Sequence, residues 1–405
     1  MWTYYFKYQI SLFFGTLFFL SICQLVLGQR LHDERPTTEN FKGIQYTGDD
    51  STFYINFRFR MQNRLIYTSN SSTDFRIRDI EARIRRLRLR MDGYLYSPKL
   101  SYTIQLGFTR GDQDYDATDL ANIVRDAAVF YTFNNRLYIS FGQSKLPGNR
   151  QRVNSSGELQ FAERSLLNAR FNIDRDFGIK LYYSFLIGKI PFHFKWAVST
   201  GEGRVSNSTD NGLAYTARGE VLPFGEFTNG GDYLEGDLEH EGRVKLSIGG
   251  GYSFNDRTTR SGGQTGTFIT SPITLKTSFL DLILKYRGWA YQLEYMKRDT
   301  NNPFSTSKEG RFSYAYKGSG VNQQLSYILN RKTGYELAGR YTRIVPHRDI
   351  MNFESQIDVA EIGLTKYFRA HRFKLQISTH YQASGGIYRI GNNNWGASFQ
   401  IELGI

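Results

Sequence analysis

The chain has 405 residues, a formal net charge of +13 and 16% aromatic residues, yet only 40% of it is hydrophobic. The aromatic load excludes a disordered chain, and the single cysteine, Cys23, excludes a disulfide scaffold. After residue 28 no apolar run approaches the ~18 residues of a helical membrane span, so the combination of many aromatic and many polar residues points to an all-β transmembrane barrel. The positive balance favours anionic partners.

In chain order, Ile10–Leu27 is an apolar stretch preceded by Lys7 and ending in Val26-Leu27-Gly28, the pattern of a secretory signal peptide cut before Gln29. The expected organisation is a signal peptide over 1–28, a short periplasmic segment over 29–52 and an outer-membrane barrel over 53–405. With Cys23 removed, no cysteine remains to stabilise the mature chain, and barrel closure takes that role.

From residue 53 onward the segments alternate apolar and polar residues with period two, the mark of strands with one apolar face. Leu100, Tyr102, Ile104, Leu106 and Phe108 share one face, against Ser101, Thr103, Gln105, Gly107 and Thr109. Such runs predict antiparallel strands near 53–66, 85–96, 99–110, 126–133, 136–143, 177–187, 191–199 and 214–222. Further runs predict strands near 243–254, 274–287, 289–297, 319–329, 335–344, 357–368, 372–382 and 394–404. The total is about 16. Ser97-Pro98, Asn134-Asn135, Gly188-Lys189-Ile190 and Gly288 read as minimal turns alternating with long polar loops, as in outer-membrane barrels with short periplasmic turns. The connection 223–242 is long where a short turn is due. A secreted β-sandwich would present Val, Ile and Leu on its apolar faces. Here aromatic residues such as Tyr67, Tyr94, Tyr295, Tyr341, Tyr381 and Trp395 mark strand ends, the placement of interfacial girdles.

The polar faces carry the candidate chemistry. Arg58, Arg60 and Arg64 lie on the first strand and Arg86, Arg88 and Arg90 on the second. Residues two apart on a strand sit about 6.6 Å apart on one face, so each trio is a ladder of guanidinium groups facing the lumen. Arg stays charged and offers a planar fork suited to phosphate or carboxylate. A column of such groups suits an anion hopping between weak sites. Lys180, Lys195, Arg218, Lys245, Arg340 and Lys374 extend the basic lining, where acids are fewer; Asp92, Glu336 and Glu361 are the candidates to neutralise it. Neutralisation by such acids would instead make a general diffusion pore. The longest loop, 144–176, carries Lys145, Arg150, Arg152, Arg164 and Arg170, and a loop of that length is usually functional. It is expected to fold inward as a constriction.

The acidic run 111–119 has the carboxylate spacing of a Ca²⁺ loop but lacks the Gly and Glu that such loops need at their sixth and twelfth positions; an external loop without metal is expected. Scattered histidines form no ligand pair, and no catalytic or cofactor motif stands out. Small anions, outer-membrane lipid and lipopolysaccharide are the expected partners, and nucleic acid is not.

The run Arg85-Arg86-Leu87-Arg88-Leu89-Arg90-Met91-Asp92-Gly93 resembles an early strand of the phosphate-selective porin O and P family. Phe141-Gly142-Gln143-Ser144-Lys145-Leu146-Pro147-Gly148, Phe161-Ala162-Glu163-Arg164-Ser165 and Arg175-Asp176-Phe177-Gly178 resemble it too. So do Gln324-Leu325-Ser326-Tyr327-Ile328-Leu329 and Tyr335-Glu336-Leu337-Ala338-Gly339-Arg340-Tyr341. The resemblance, over roughly 50–405, implies a 16-stranded, usually trimeric outer-membrane porin with an arginine ladder, a basic constriction and no cofactor. A barrel with an adhesive role through its loops, or a membrane-embedded hydrolase, are the alternatives from other functional classes.

Overall fold

A computed structural model describes residues 43–49, 51–113, 122–204, 212–306, 310, 312–385 and 393–405. The expected signal peptide and most of the expected N-terminal segment lie outside the described residues. The strands are β1 (Ile44–Thr47), β2 (Phe53–Ser69), β3 (Ile77–Leu95), β4 (Ser97–Gly107), β5 (Val124–Asn134), β6 (Leu137–Lys145), β7 (Arg175–Ile187), β8 (Ile190–Ser199) and β9 (Ala214–Val221). They continue with β10 (Lys245–Arg260), β11 (Phe268–Tyr286), β12 (Trp289–Asp299), β13 (Phe304–Thr306), β14 (Phe312–Tyr314), β15 (Gly318–Asn330), β16 (Tyr335–Pro346), β17 (Ile357–Arg369), β18 (Phe373–Ser384) and β19 (Asn394–Gly404). Among the described residues three short α-helices, α1 (Arg110–Gln113), α2 (Arg150–Val153) and α3 (Leu166–Phe171), lie in loops.

All strands except the β13–β14 hairpin join one sheet of 17. Setting aside β1, sixteen of them pair antiparallel in sequence order, and β19 returns to β2 from Gly396↔Thr68 to Gly404↔Arg60. The sheet is a closed barrel, which removes the open edges that lipid cannot satisfy. β2 outruns β19 at one end, and there β1 pairs with it, Ile44↔Phe57 to Thr47↔Tyr54. This strand falls within 29–52, where the sequence predicts only a segment preceding the barrel; four residues are too few for alternation to stand out.

Alternation sets the two faces. Phe57, Leu89, Phe141, Ile179, Leu280, Ile362 and Ile377 are exposed on the outside, as lipid contact requires. Aromatic pairs ring the outer wall near the short turns: Trp289–Tyr327 at 4.6 Å, Phe368–Phe373 at 4.5 Å and Phe185–Phe192 at 5.4 Å. Tyr94 is a correction to the girdle expectation. It shares the inward parity of Arg90 and Asp92 and stacks on inward Tyr54 at 5.8 Å.

A permeation pathway crossed by two inward segments

β2 and β3 carry both arginine ladders, and their register places Arg58 opposite Arg90, Arg60 opposite Arg88 and Gln62 opposite Arg86. Like charges directly opposite one another destabilise a strand pair, so carboxylates must be brought in. Asp92 pairs with Arg58 and, at 2.8 Å, with Arg90. Glu402 reaches Arg60 at 3.2 Å. Asp112, on α1, chelates Arg88 and also pairs with Arg125 at 3.0 Å. A register shift between Gln62 and Asn63 turns Arg85 inward beside Arg86, which period-two reading could not anticipate. Arg64, Arg85 and Arg86 then converge on one carboxylate, Glu163, at 3.2, 2.7 and 2.5 Å. Burial works against charge on Glu163, but Arg86, then Arg85 and Arg64, outweigh it and hold its carboxyl well below the usual range.

Glu163 belongs to the 146–174 loop, which leaves β6 at the long-loop end and crosses the lumen. Its apolar side docks on the inner wall: Leu146, Leu167, Phe171 and Ile173 pack with Phe279, Met296 and Ile344. Those three wall residues break the polar pattern of the inner face and are a sequence signal of a covered patch. Its middle contacts Arg60 through Ser155 at 3.0 Å, Arg88 through Ser156 at 2.8 Å, and Lys374 through the Gly157 and Leu159 carbonyls at 2.9 and 2.6 Å. A Cβ at Gly157 would fall on the Arg60 guanidinium, so a larger residue there would push that side chain aside. Phe161 lies under Arg340, which pairs with Glu361.

The long connection between β9 and β10 enters from the opposite, short-turn end. Leu222 and Phe227 pack on inward Ile283, and Lys285 Nζ donates to the carbonyls of Gly231, Leu234 and Gly236. The two segments meet inside the barrel. The Glu235 N–H donates to the Glu158 carbonyl at 2.9 Å, and the Glu235 carboxylate accepts from the Gln160 N–H at 2.9 Å. The connection that the sequence marks as anomalous is thus a second inward-folded segment.

Where they meet the far wall, charges balance. Arg150 contacts Asp281 at 2.9 Å, Glu220 at 3.1 Å and Asp232 at 3.8 Å, and Arg218 bridges Glu220 and Asp281. Lys195 adds Glu220 and the Tyr233 hydroxyl. Among the loop arginines, Arg152 pairs with Asp174, Arg170 with Glu354 at 3.1 Å, and Arg164 donates to the carbonyls of Gln151 and Asn154. Lys145 and Lys180 donate to backbone carbonyls, and Lys245 does so to Phe224. Acids beyond the three expected also line the lumen: Asp126, Glu220, Asp281 and Glu402 all face inward and each pairs with a basic group. Asp92 and Glu361 neutralise arginines as expected, whereas Glu336 accepts from Gln160 and Tyr367 instead. The β2–β3 side differs from this balanced wall. Among the described residues, Arg58, Arg60, Arg64, Arg85, Arg86, Arg88, Arg90 and, on neighbouring β5, Arg125 pair with Asp92, Asp112, Glu158, Glu163 and Glu402, with Asp126 near Arg90 and Arg125. The loop covers Arg64 and Arg86, 4% and 3% exposed, but leaves Arg58 and Arg90 at 30% and 33%.

Asp112 is the one carboxylate of the acidic 111–119 run that is described, and it is held by arginines; residues 114–120 lie outside the described residues. Among the described residues no cluster of His, Cys, Asp and Glu could hold a metal.

Asp232, on the second inward segment, is pushed up to about 6 by burial, with Glu220 adding to the rise and Arg150 opposing it. His193, Glu226 and Lys285 are the further charged groups around it. Its folded pKa exceeds the ordinary 3.8, so the folded state binds the extra proton between these values and gains stability as pH falls. The gain is on the order of 3 kcal/mol at most and is absent above about 6. Acidification from neutral pH through this range should therefore tighten the docked segment and lower single-channel conductance, and Asp232→Asn should flatten the profile. Conductance that rises on acidification would contradict this placement.

Residues 57–347 match the family model described as phosphate-selective porin O and P. Comparison with curated protein sequences gives no match. Among solved structures, OprB of Pseudomonas putida at high pH aligns with 10% identity and a TM-score of 0.54, covering 87% of this chain and 94% of its own. An anion-selective porin from Comamonas acidovorans gives 13% identity and a TM-score of 0.52, covering 87% and 100%. OmpT of Vibrio cholerae, an outer-membrane protein solved in a trimer form, gives 14% identity and a TM-score of 0.50, covering 87% and 99%.

Proposed function

Since the chain belongs to the phosphate-selective porin O and P family, we propose that its outer-membrane barrel is a passive channel preferring small anions such as phosphate, with the short turns in the periplasm. The observation that carries this reading is the excess of guanidinium groups on the β2–β3 wall, above all Arg58 and Arg90 sharing one carboxylate and partly open to the lumen. Arginine forks there offer paired donors to an oxyanion, while sharing one partner keeps any single site weak enough for release.

The candidate pathway residues divide by this criterion. Arg58, Arg60, Arg85 and Arg90 act on the solute, whereas Arg64, Arg86, Arg88, Lys180, Arg218 and Arg340 tie the loops and wall together. Among the loop cations, Lys145, Arg150, Arg152, Arg164 and Arg170 shape the constriction more than they charge it. A homotrimer is the assembly we propose, supported by the family and by the trimeric Vibrio porin. A general diffusion pore is the second reading, favoured by the close pairing of Arg150, Arg218 and Arg340 with acids.

Reversal potentials in planar bilayers under a potassium chloride gradient separate the two. Anion preference with block of chloride current by phosphate supports the first reading. Absence of pores, or cation preference, overturns it.

A further inference from the structure

At the long-loop mouth, α3, the turn between β10 and β11, β14 and the segment before β17 border an open cavity of about 650 Å³, within the range of small-molecule sites. Its lining is unlike the arginine wall below. Phe312, Tyr314 and Tyr316 give it aromatic surface, and Arg298 supplies a buried guanidinium. Arg298 donates only to neutral oxygens, the carbonyls of Arg170 at 3.1 Å and Asn172 at 3.3 Å and the Thr277 hydroxyl at 3.3 Å. Arg170, by contrast, is paired with Glu354 at 3.1 Å. Among the described lining residues the charged groups are Arg170, Glu354 and Arg298, and of these Arg298 has no carboxylate paired with it.

Two polar atoms of the lining add direction. The Tyr316 hydroxyl, on a side chain only 7% exposed, and the Asn172 Oδ1 have no hydrogen-bond partner in the chain. A buried polar group without a partner costs about 1–3 kcal/mol, so a donor and an acceptor without partners in the wall of one aromatic cavity favour a polar guest. The guest that matches carries one negative charge for Arg298, hydroxyls for Glu354 and Asn172, an acceptor for Tyr316, and a flat C–H face for the rings.

We propose that this cavity is a capture subsite for a sugar acid, a hydroxylated monocarboxylate of monosaccharide size, at the external mouth of the channel. The proposal rests on the reading of the barrel as an anion channel and names an organic solute for it. Capture above the constriction raises the local solute concentration where the loop narrows the path. Inorganic phosphate lacks the apolar face that the rings select.

The test is calorimetric titration of the purified full-length protein in detergent with glucuronate, glucose, benzoate and inorganic phosphate. Binding is read without a membrane, so its failure is distinct from a failure of anion preference in bilayers. Glucuronate should bind at least about tenfold tighter than the other three. Tyr316→Phe removes one hydroxyl at nearly constant volume and should weaken glucuronate about tenfold, equivalent to about 1.4 kcal/mol. Arg298→Lys keeps the charge, loses the fork and should weaken it as well. No glucuronate binding by the native protein, phosphate or benzoate binding equally well, or full affinity in Tyr316→Phe would each overturn the proposal.

Discussion

Deleting residues 228–240 and bridging the gap with glycines should raise single-channel conductance severalfold while the barrel still assembles. These residues carry Tyr233, Glu235 and Asp237, which hold the segment against Lys195, Gln160 and the Gly288 N–H. Removing one partner of a buried ionic contact ordinarily costs about 3–5 kcal/mol. Here the deletion also admits water to the groups left behind, Lys285 above all, which limits the penalty. The wall does not depend on the segment, since β9 and β10 pair with each other from Ile248↔Val221 to Asn255↔Ala214. Conductance in bilayers and resistance of the folded barrel to denaturant check both halves. An unchanged conductance would mean that current passes elsewhere, and the 146–174 loop alone would set the pore.

Replacing Arg58 and Arg90 together by Gln should collapse anion preference, whereas replacing Arg64 and Arg86 should alter conductance more than selectivity. The first pair is partly open to the lumen and the second lies beneath the loop. In a water-like dielectric each charge contributes about 0.6 kcal/mol to an ion about 7 Å away. Two charges then change the local anion concentration about sevenfold, before screening by salt. Removal of Arg64 and Arg86 leaves Glu163 with Arg85 as its remaining ion-pair partner and frees the loop. Lysine at 58 and 90 should keep the reversal potential but weaken phosphate block, because the two-donor fork is lost. If the Gln pair retains the native reversal potential, the ladder is structural and selectivity arises elsewhere.

The sequence made the wall legible and the interior much less so. Alternation at Phe57–Met61 and Leu87–Met91 assigns each side chain to one face, and strong pairing turns this into register. It cannot say what covers a face. Arg86 and Arg88 read as open lumen groups until Glu163 and Ser156 arrive from a loop about seventy residues downstream. Arg85 was hidden for a different reason: a bulge inverts parity locally. The docking of the loop had a trace in Phe279, Met296 and Ile344, apolar residues on a face otherwise polar. Ile283 did the same for the second segment.

The strand β1 bears on what the barrel wall is. It lies on the same edge of β2 as β19 and runs in the same direction. The Ile405 N–H donates to the Phe59 carbonyl at 3.1 Å, and Ile44 takes up the pairing at Phe57. One composite strand therefore faces β2, its upper part from residues 394–404 and its lower part from 44–47. Without the lower part, the backbone of Tyr54–Phe57 would border the bilayer along one side with unmet donors and acceptors, each costing several kcal/mol in lipid. β2 acts as a splint across this junction, and the barrel comes close to a circle in covalent terms. Residues 43 and 405 stand end to end, so joining them and opening the chain in an outer loop would permute the sequence while leaving every rung of the wall in place.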